Sequence, residues 1–250
     1  MKHLLVLFAV LAVPAWAQDA AGPSPAEAAA RADTLHARRD DPAVEKEIDS
    51  LLRSALQAAP EDYGLLWRMA RLRHWQADGL KGEPMAKLGR ESWEWGDKAV
   101  KVNPAGVEGH YYAGIGLGAY SQGAGILRAL TEGLEGKFNA RVDKALQLNA
   151  SFDRGGPLLT KGRYHFELPW PKRDYGKSTV LLRQVLEKFP GRIRGGVYLA
   201  ETLLADGKAA EAKQVLDAAL AQPPSGDPPE DRRALAWGKA LQPKIQAALK

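Results

Sequence analysis

The chain has 250 residues, with 35 basic and 30 acidic side chains, five histidines and no cysteine. The missing thiol excludes cysteine nucleophiles, disulfides and cysteine-based metal sites. A net charge of +5 over this length is too thin for the basic stripe that nucleic-acid binding needs, so no nucleic-acid partner is expected.

The first segment reads as an export signal. Met1-Lys2-His3 is a short basic start, Leu4 to Val13 is apolar, and Ala15-Trp16-Ala17 fits the small-x-small cleavage pattern. These features predict a signal peptide over residues 1–17, cut after Ala17, and hence a periplasmic or secreted protein. The apolar run falls short of the roughly 20 residues that cross a bilayer. No later stretch reaches that length, so no membrane span is expected. No cysteine follows the cleavage site to carry a lipid anchor. Residues 18–23 form a flexible leader.

Helical signals then follow one another. Ser24-Pro25-Ala26-Glu27 is a capping box with proline at the first helical position, opening a helix to about Arg39. Asp41-Pro42 opens a second, with Val44, Ile48, Leu52 and Leu56 on one face. Leu65, Leu66, Met69, Leu72 and Trp75 mark a third, and Met85, Leu88, Trp95, Ala99 and Val102 a fourth. Residues 107–121 form the next. A segment from about Ile126 to Leu148 follows, with Gly133 and Gly136 as its break. Helices over 157–167 and 174–189 flank Leu168-Pro169-Trp170-Pro171. In the last pair, Leu199, Ala200, Leu203, Ala212, Leu216 and Ala219 take the small and large packing positions, and Gly207 makes the turn. A terminal helix carries Ala234, Trp237, Leu241, Ile245 and Ala248, with Pro243 expected to kink or shorten it.

A landmark recurs along this series. Ala55-Leu56-Gln57-Ala58-Ala59-Pro60 returns as variants ending at Pro104, Ala150, Pro190 and Pro224, at spacings of 44, 46, 40 and 34 residues. A period near 34 is that of a two-helix tetratricopeptide unit. The expected fold is therefore all-α: a tetratricopeptide-like solenoid over 24–224, about four to five helix pairs, closed by a capping helix within 225–250. The surplus residues of the longer repeats fall at 78–88, 121–138 and 167–175. Insertions confined to one face often mark the binding face, so these three segments are expected to lie together.

Catalytic chemistry is not indicated. The glycines from Gly109 to Gly125 lack the strand and the lysine of a phosphate loop, and read as close helix packing or as a helix lining a channel that large side chains would block. The histidines lack metal-ligand spacing. No metal, cofactor or enzymatic activity is expected, and a hydrolase assembled across the fold stays only as a remote alternative. Tyr111, Tyr112, Tyr120, Tyr164 and Trp170 stand near the insertion rim, where aromatics suit an apolar ligand. Arg163 is suited to a ligand carboxylate, or to an ion pair with Glu167 one turn on.

From Gly109 to Gly207 the chain shows an order of motifs. Gly109-His110-Tyr111-Tyr112 is followed by Gly155-Gly156-Pro157, Gly162-Arg163-Tyr164, Leu168-Pro169-Trp170-Pro171 and Tyr198-Leu199-Ala200-Glu201. This order resembles the T-component family of TRAP transporters, periplasmic proteins of tetratricopeptide-like helix pairs. The resemblance implies a periplasmic protein partner, such as a solute-binding protein, and a cleft for an apolar or amphipathic ligand. Tyr111, Tyr112, Tyr120, Arg163, Tyr164 and Trp170 are the candidate ligand-binding residues. A general scaffold for cell-envelope assembly is the alternative.

Overall fold

The structure is a computed structural model and describes residues 23–224 and 226–250. The signal peptide expected over 1–17, and most of the leader, lie outside the described residues.

Among the described residues the fold is all helical. The helices are α1 (Pro25–His36), α2 (Pro42–Ala58), α3 (Tyr63–Ala77), α4 (Gly82–Val102), α5 (Val107–Ala124), α6 (Ile126–Thr131), α7 (Leu134–Asn149), α8 (Phe152–Glu167), α9 (Tyr175–Lys188), α10 (Ile193–Ala205), α11 (Ala209–Leu220) and α12 (Pro228–Ala248). The pairs α1–α2, α3–α4, α5–α7, α8–α9 and α10–α11 stack in order, and α12 packs on α10 and α11. This is the expected solenoid of helix pairs with a terminal cap.

The landmark works through proline. Ala59, Asn103 and Phe189 each precede a proline and hold φ −135° with ψ of 74°, 89° and 69°. A following proline disfavours helical ψ, so α2, α4 and α9 must stop there. Their amides close on Ala55, Ala99 and Val185 carbonyls at 2.9, 2.9 and 2.8 Å, and a short turn launches the next helix. The landmark at Asn149-Ala150 lacks the proline. There the chain turns instead through Asp153, Arg154 and Gly155, all at positive φ (48°, 53° and 77°). Helix α8 is therefore kinked at its start.

Two stripes of glycine seven residues apart explain how closely α4 and α5 approach. A Cβ on Gly89 or Gly96 of α4 would stand 2.4 Å from the Tyr120 amide nitrogen or 2.5 Å from that of Ala113. A Cβ on Gly116 or Gly123 of α5 would meet the Trp93 or Ala86 amide nitrogen at 2.5 or 2.4 Å. Gly116 and Gly123 of the Gly109–Gly125 run are thus helix contacts, whereas nothing lies within 4 Å of a Cβ on Gly125.

The core is divided. One cluster joins α1, α2 and α3 around Ile48, Leu52, Leu65 and Met69, and another joins α8 to α12 around Leu182, Ile193, Leu203 and Leu216. Smaller clusters on α5 and α7 link them. Among the described residues no backbone of α1–α4 comes close to one of α9–α12, and only side chains cross between them.

Some local expectations change. Gly133, at φ 61°, separates α6 from α7, whereas Gly136 lies within α7. Helix α12 runs past Pro243 to Ala248. The proline withholds a donor from the Lys239 carbonyl, but both residues are exposed and water can serve that oxygen. Ala248 is exposed and leaves the apolar stripe.

Candidate functional site

The solenoid curves around a cavity of about 1140 Å³. All three insertions reach it: Leu80 to Gly82 and Met85 from the first, residues between Gln122 and Phe138 from the second, and Glu167 to Arg173 from the third. Lys172 Nζ meets Glu135 Oε2 at 2.6 Å, tying the third insertion to the second. The expectation that these segments share one face is met by this common wall.

The cavity has two chemistries. Met85, Ile115, Leu130, Leu134, Phe138 and Leu159 make an apolar wall. At the other end Arg39, Arg71, Arg192, Arg194, His36 and His74 converge with Tyr111, Tyr112, Asp153 and Glu230. This second end is built where the proline-free landmark forces the left-handed turn. Arg192 is only 2% exposed. Its guanidinium donates to the Asp153 carbonyl, to the Arg154 carbonyl at 2.6 Å, and to Glu230 Oε1 at 3.2 Å. Two non-glycine residues at positive φ are costly, and a buried guanidinium forked over their carbonyls holds them there.

Burial resists ionisation of Glu230, but Arg192, Arg194 and Arg154 hold its carboxyl down to about 2. Burial dominates at Asp153 and raises its pKa despite Arg192, with the Glu230 charge adding to the effect. The two carboxylates crowd one guanidinium, and the environment drives them apart. Desolvation lowers His74 to about 4, with Arg194 and Arg233 adding to the effect against Asp78, so this imidazole is neutral at pH 7. His36 is lowered too, by burial and then by Arg71 and Arg39.

The same end carries a clasp between the two arms. Arg39 Nη2 meets Asp227 Oδ2 at 2.6 Å, and Arg232 meets Asp40 at 2.6 Å. Arg194 Nη2 donates to Asp78 Oδ2 at 2.7 Å. Arg233 donates to the Asp78 carbonyl at 2.7 Å and the Trp75 carbonyl at 3.0 Å, and its guanidinium lies 3.3 Å from the centre of the Trp75 indole. Arg39 stacks on the same ring at 4.3 Å. Burial resists the charge of Asp78, yet Arg194 beside it holds its carboxyl well below the usual range.

Of the six candidate residues, Tyr111, Tyr112, Arg163, Tyr164 and Trp170 line the cavity. Tyr111 bonds Asp153 Oδ2 at 2.9 Å, and Tyr112 stacks on Trp67 with ring centres 5.9 Å apart. Tyr164 stacks on Phe138 and donates to Glu135 at 2.9 Å. Trp170 is 87% exposed at the mouth. Tyr120 lies outside the cavity: the glycine contact turns it toward α4, where it meets Arg90 and Trp93 and donates to Glu132 at 2.8 Å. Arg163 is engaged by Glu167 and Glu201, each at 2.5 Å. The ion pair with Glu167 is thus formed, and a second carboxylate joins it. Arg39, Arg192, Arg194, Asp78 and Glu230 escape a linear reading, because residues 39 to 230 meet only when the solenoid curves. The missing proline at 150 was the one local signal. Among the described residues no group of histidines and acids could hold a metal ion, and no helix is long and apolar enough to cross a membrane.

A family model and one solved structure agree with this architecture. A tetratricopeptide repeat model matches residues 172–236. The crystal structure of TTC0263, a thermophilic tetratricopeptide protein of Thermus thermophilus, superposes with a TM-score of 0.64 at 19% identity, covering 88% of this chain and 98% of that one. The crystal structure of the MamA protein gives 0.44 at 14% identity, over 78% and 91% of the two chains. No curated protein matches in sequence. A model described as regulator of microtubule dynamics protein 1-3 matches residues 28–179, from α1 into α9. The chain belongs to that family, as a helical-repeat protein of the tetratricopeptide type.

Proposed function

We propose that this protein is a non-enzymatic adaptor that carries an amphipathic acid in its cavity while its helical surface engages a protein partner. Stacked repeats of this type present extended surfaces for binding other proteins. One observation carries the ligand: a single cavity is divided into an apolar wall and an end rich in guanidinium groups. An apolar chain fits along Ile115, Leu134 and Phe138, and an acidic head fits toward Arg71, which shares the single carboxylate of Asp33 with Arg68, with Tyr111 and Tyr112 between. Arg163 and Trp170 then sit beside the chain. The amino-terminal segment supports export. The motif order from Gly109 to Gly207 supports a periplasmic solute-binding protein as the partner.

Native mass spectrometry of the gently purified mature protein tests the ligand. The expected result is a bound organic acid, removed by Ala129→Trp, which fills the apolar end. A bare wild-type protein, or the same species on both proteins, overturns the ligand. Co-purification from the periplasm tests the partner: a recurrent solute-binding protein supports it, and its absence overturns that identity.

A further inference from the structure

The mouth of the cavity carries large apolar side chains that no described residue covers. Leu127, Leu130 and Ile126 of α6 are 78%, 66% and 53% exposed, beside Trp170 across the mouth. Ile126 and Leu130, one turn apart, line the mouth, and Leu127 stands outside it. The Lys172–Glu135 ion pair binds the Trp170 loop to α7, so these side chains share one rim.

The charges of the rim are sorted. Glu132 is held by Arg90 at 3.5 Å, Glu135 by Lys172 at 2.6 Å and Glu167 by Arg163 at 2.5 Å. That leaves the exposed cations Lys81, Arg128, Lys137 and Arg173 against Glu83. Arg173 rests on the Leu168 carbonyl, and Lys137 lies over the Trp93 ring. The rim therefore shows a field of positive charge around apolar knobs.

We propose that this rim docks on an anionic lipid bilayer. Leu127 and Trp170 enter the headgroup layer, and the four cations meet anionic headgroups. Protein interface cores are depleted of lysine, whereas tryptophan and leucine bordered by lysine and arginine is the composition that settles at a membrane surface. The knobs stand out on a short helix and a proline-flanked loop, a shape for insertion and not a groove for a helix or strand. Docking depends on the rim and not on what the cavity holds, so it is tested separately from the ligand.

The test is flotation of the mature protein with vesicles of phosphatidylcholine alone or with added phosphatidylserine. Wild type is expected to float with the anionic vesicles only, and less as salt rises. The pair Leu127→Glu and Trp170→Ser, and separately Lys81→Glu with Arg128→Glu, should each bind about tenfold more weakly. All four residues are exposed, so unchanged melting certifies the fold. As a second measurement, brominated lipid should quench a component of wild-type fluorescence that Trp170→Phe lacks. Failure of wild type to float, equal flotation of the variants, or a protein captured through Leu127 without vesicle binding would overturn the proposal.

Discussion

Gly96 and Gly116 have no side chain because backbone of the neighbouring helix occupies the place of a Cβ. Gly96→Val must push α4 from α5 and is expected to cost about 3 kcal/mol, read by denaturant unfolding. His74 makes a different prediction. Its folded pKa, about 4, lies below the ordinary 6.5. The unfolded chain therefore takes up a proton first, and the stability its neutral form contributes is lost as pH falls from 6.5 toward 4. His36 acts in the same direction, and Glu230 extends the loss from 4.5 toward 2. Asp153, raised, offsets part of it. His74→Asn should flatten melting temperature against pH between 6.5 and 4; a curve parallel to wild type would refute this.

At the scale of elements, much was legible because it is local. Proline after the landmark dictates where α2, α4 and α9 stop, and small residues at Ala200, Ala212 and Ala219 dictate which faces meet. The three insertions were placed correctly because extra length inside a stacked pair has only one edge from which to leave. The charged end was not legible, since Arg39, Asp78, Arg192 and Glu230 are far apart in the chain and meet only through curvature. Nor did an aromatic in the right segment reveal its facing, as Tyr120 shows. The start of α8 is the element where sequence and strain meet. Arg192→Met removes the donors that hold the turn and leaves Asp153 and Glu230 without their shared cation. Breaking a buried pair in this way is expected to cost about 4 kcal/mol, measured by chemical unfolding.

The whole molecule is two arms, each with its own core, meeting through α5, α7 and α8 and bridged at their far ends by the clasp. Arg233→Gln combined with Asp227→Asn cuts two of these bridges while touching neither core. The radius of gyration from solution scattering is expected to rise, and melting to fall by about ten degrees, because Asp227→Asn takes the carboxylate from Arg39, which is only 5% exposed. An unchanged radius would show that the arms are held by their hinge alone. The clasp also sets what kind of event its opening would be. Charged groups and two indoles, Trp75 and Trp237, line the seam with Leu80, so parting the arms wets little oil beside what unfolding a core exposes. The heat capacity and the denaturant slope both follow newly exposed apolar surface. Opening would leave both nearly unchanged while altering the molecule's shape, and salt, not urea, would be the reagent that reveals it.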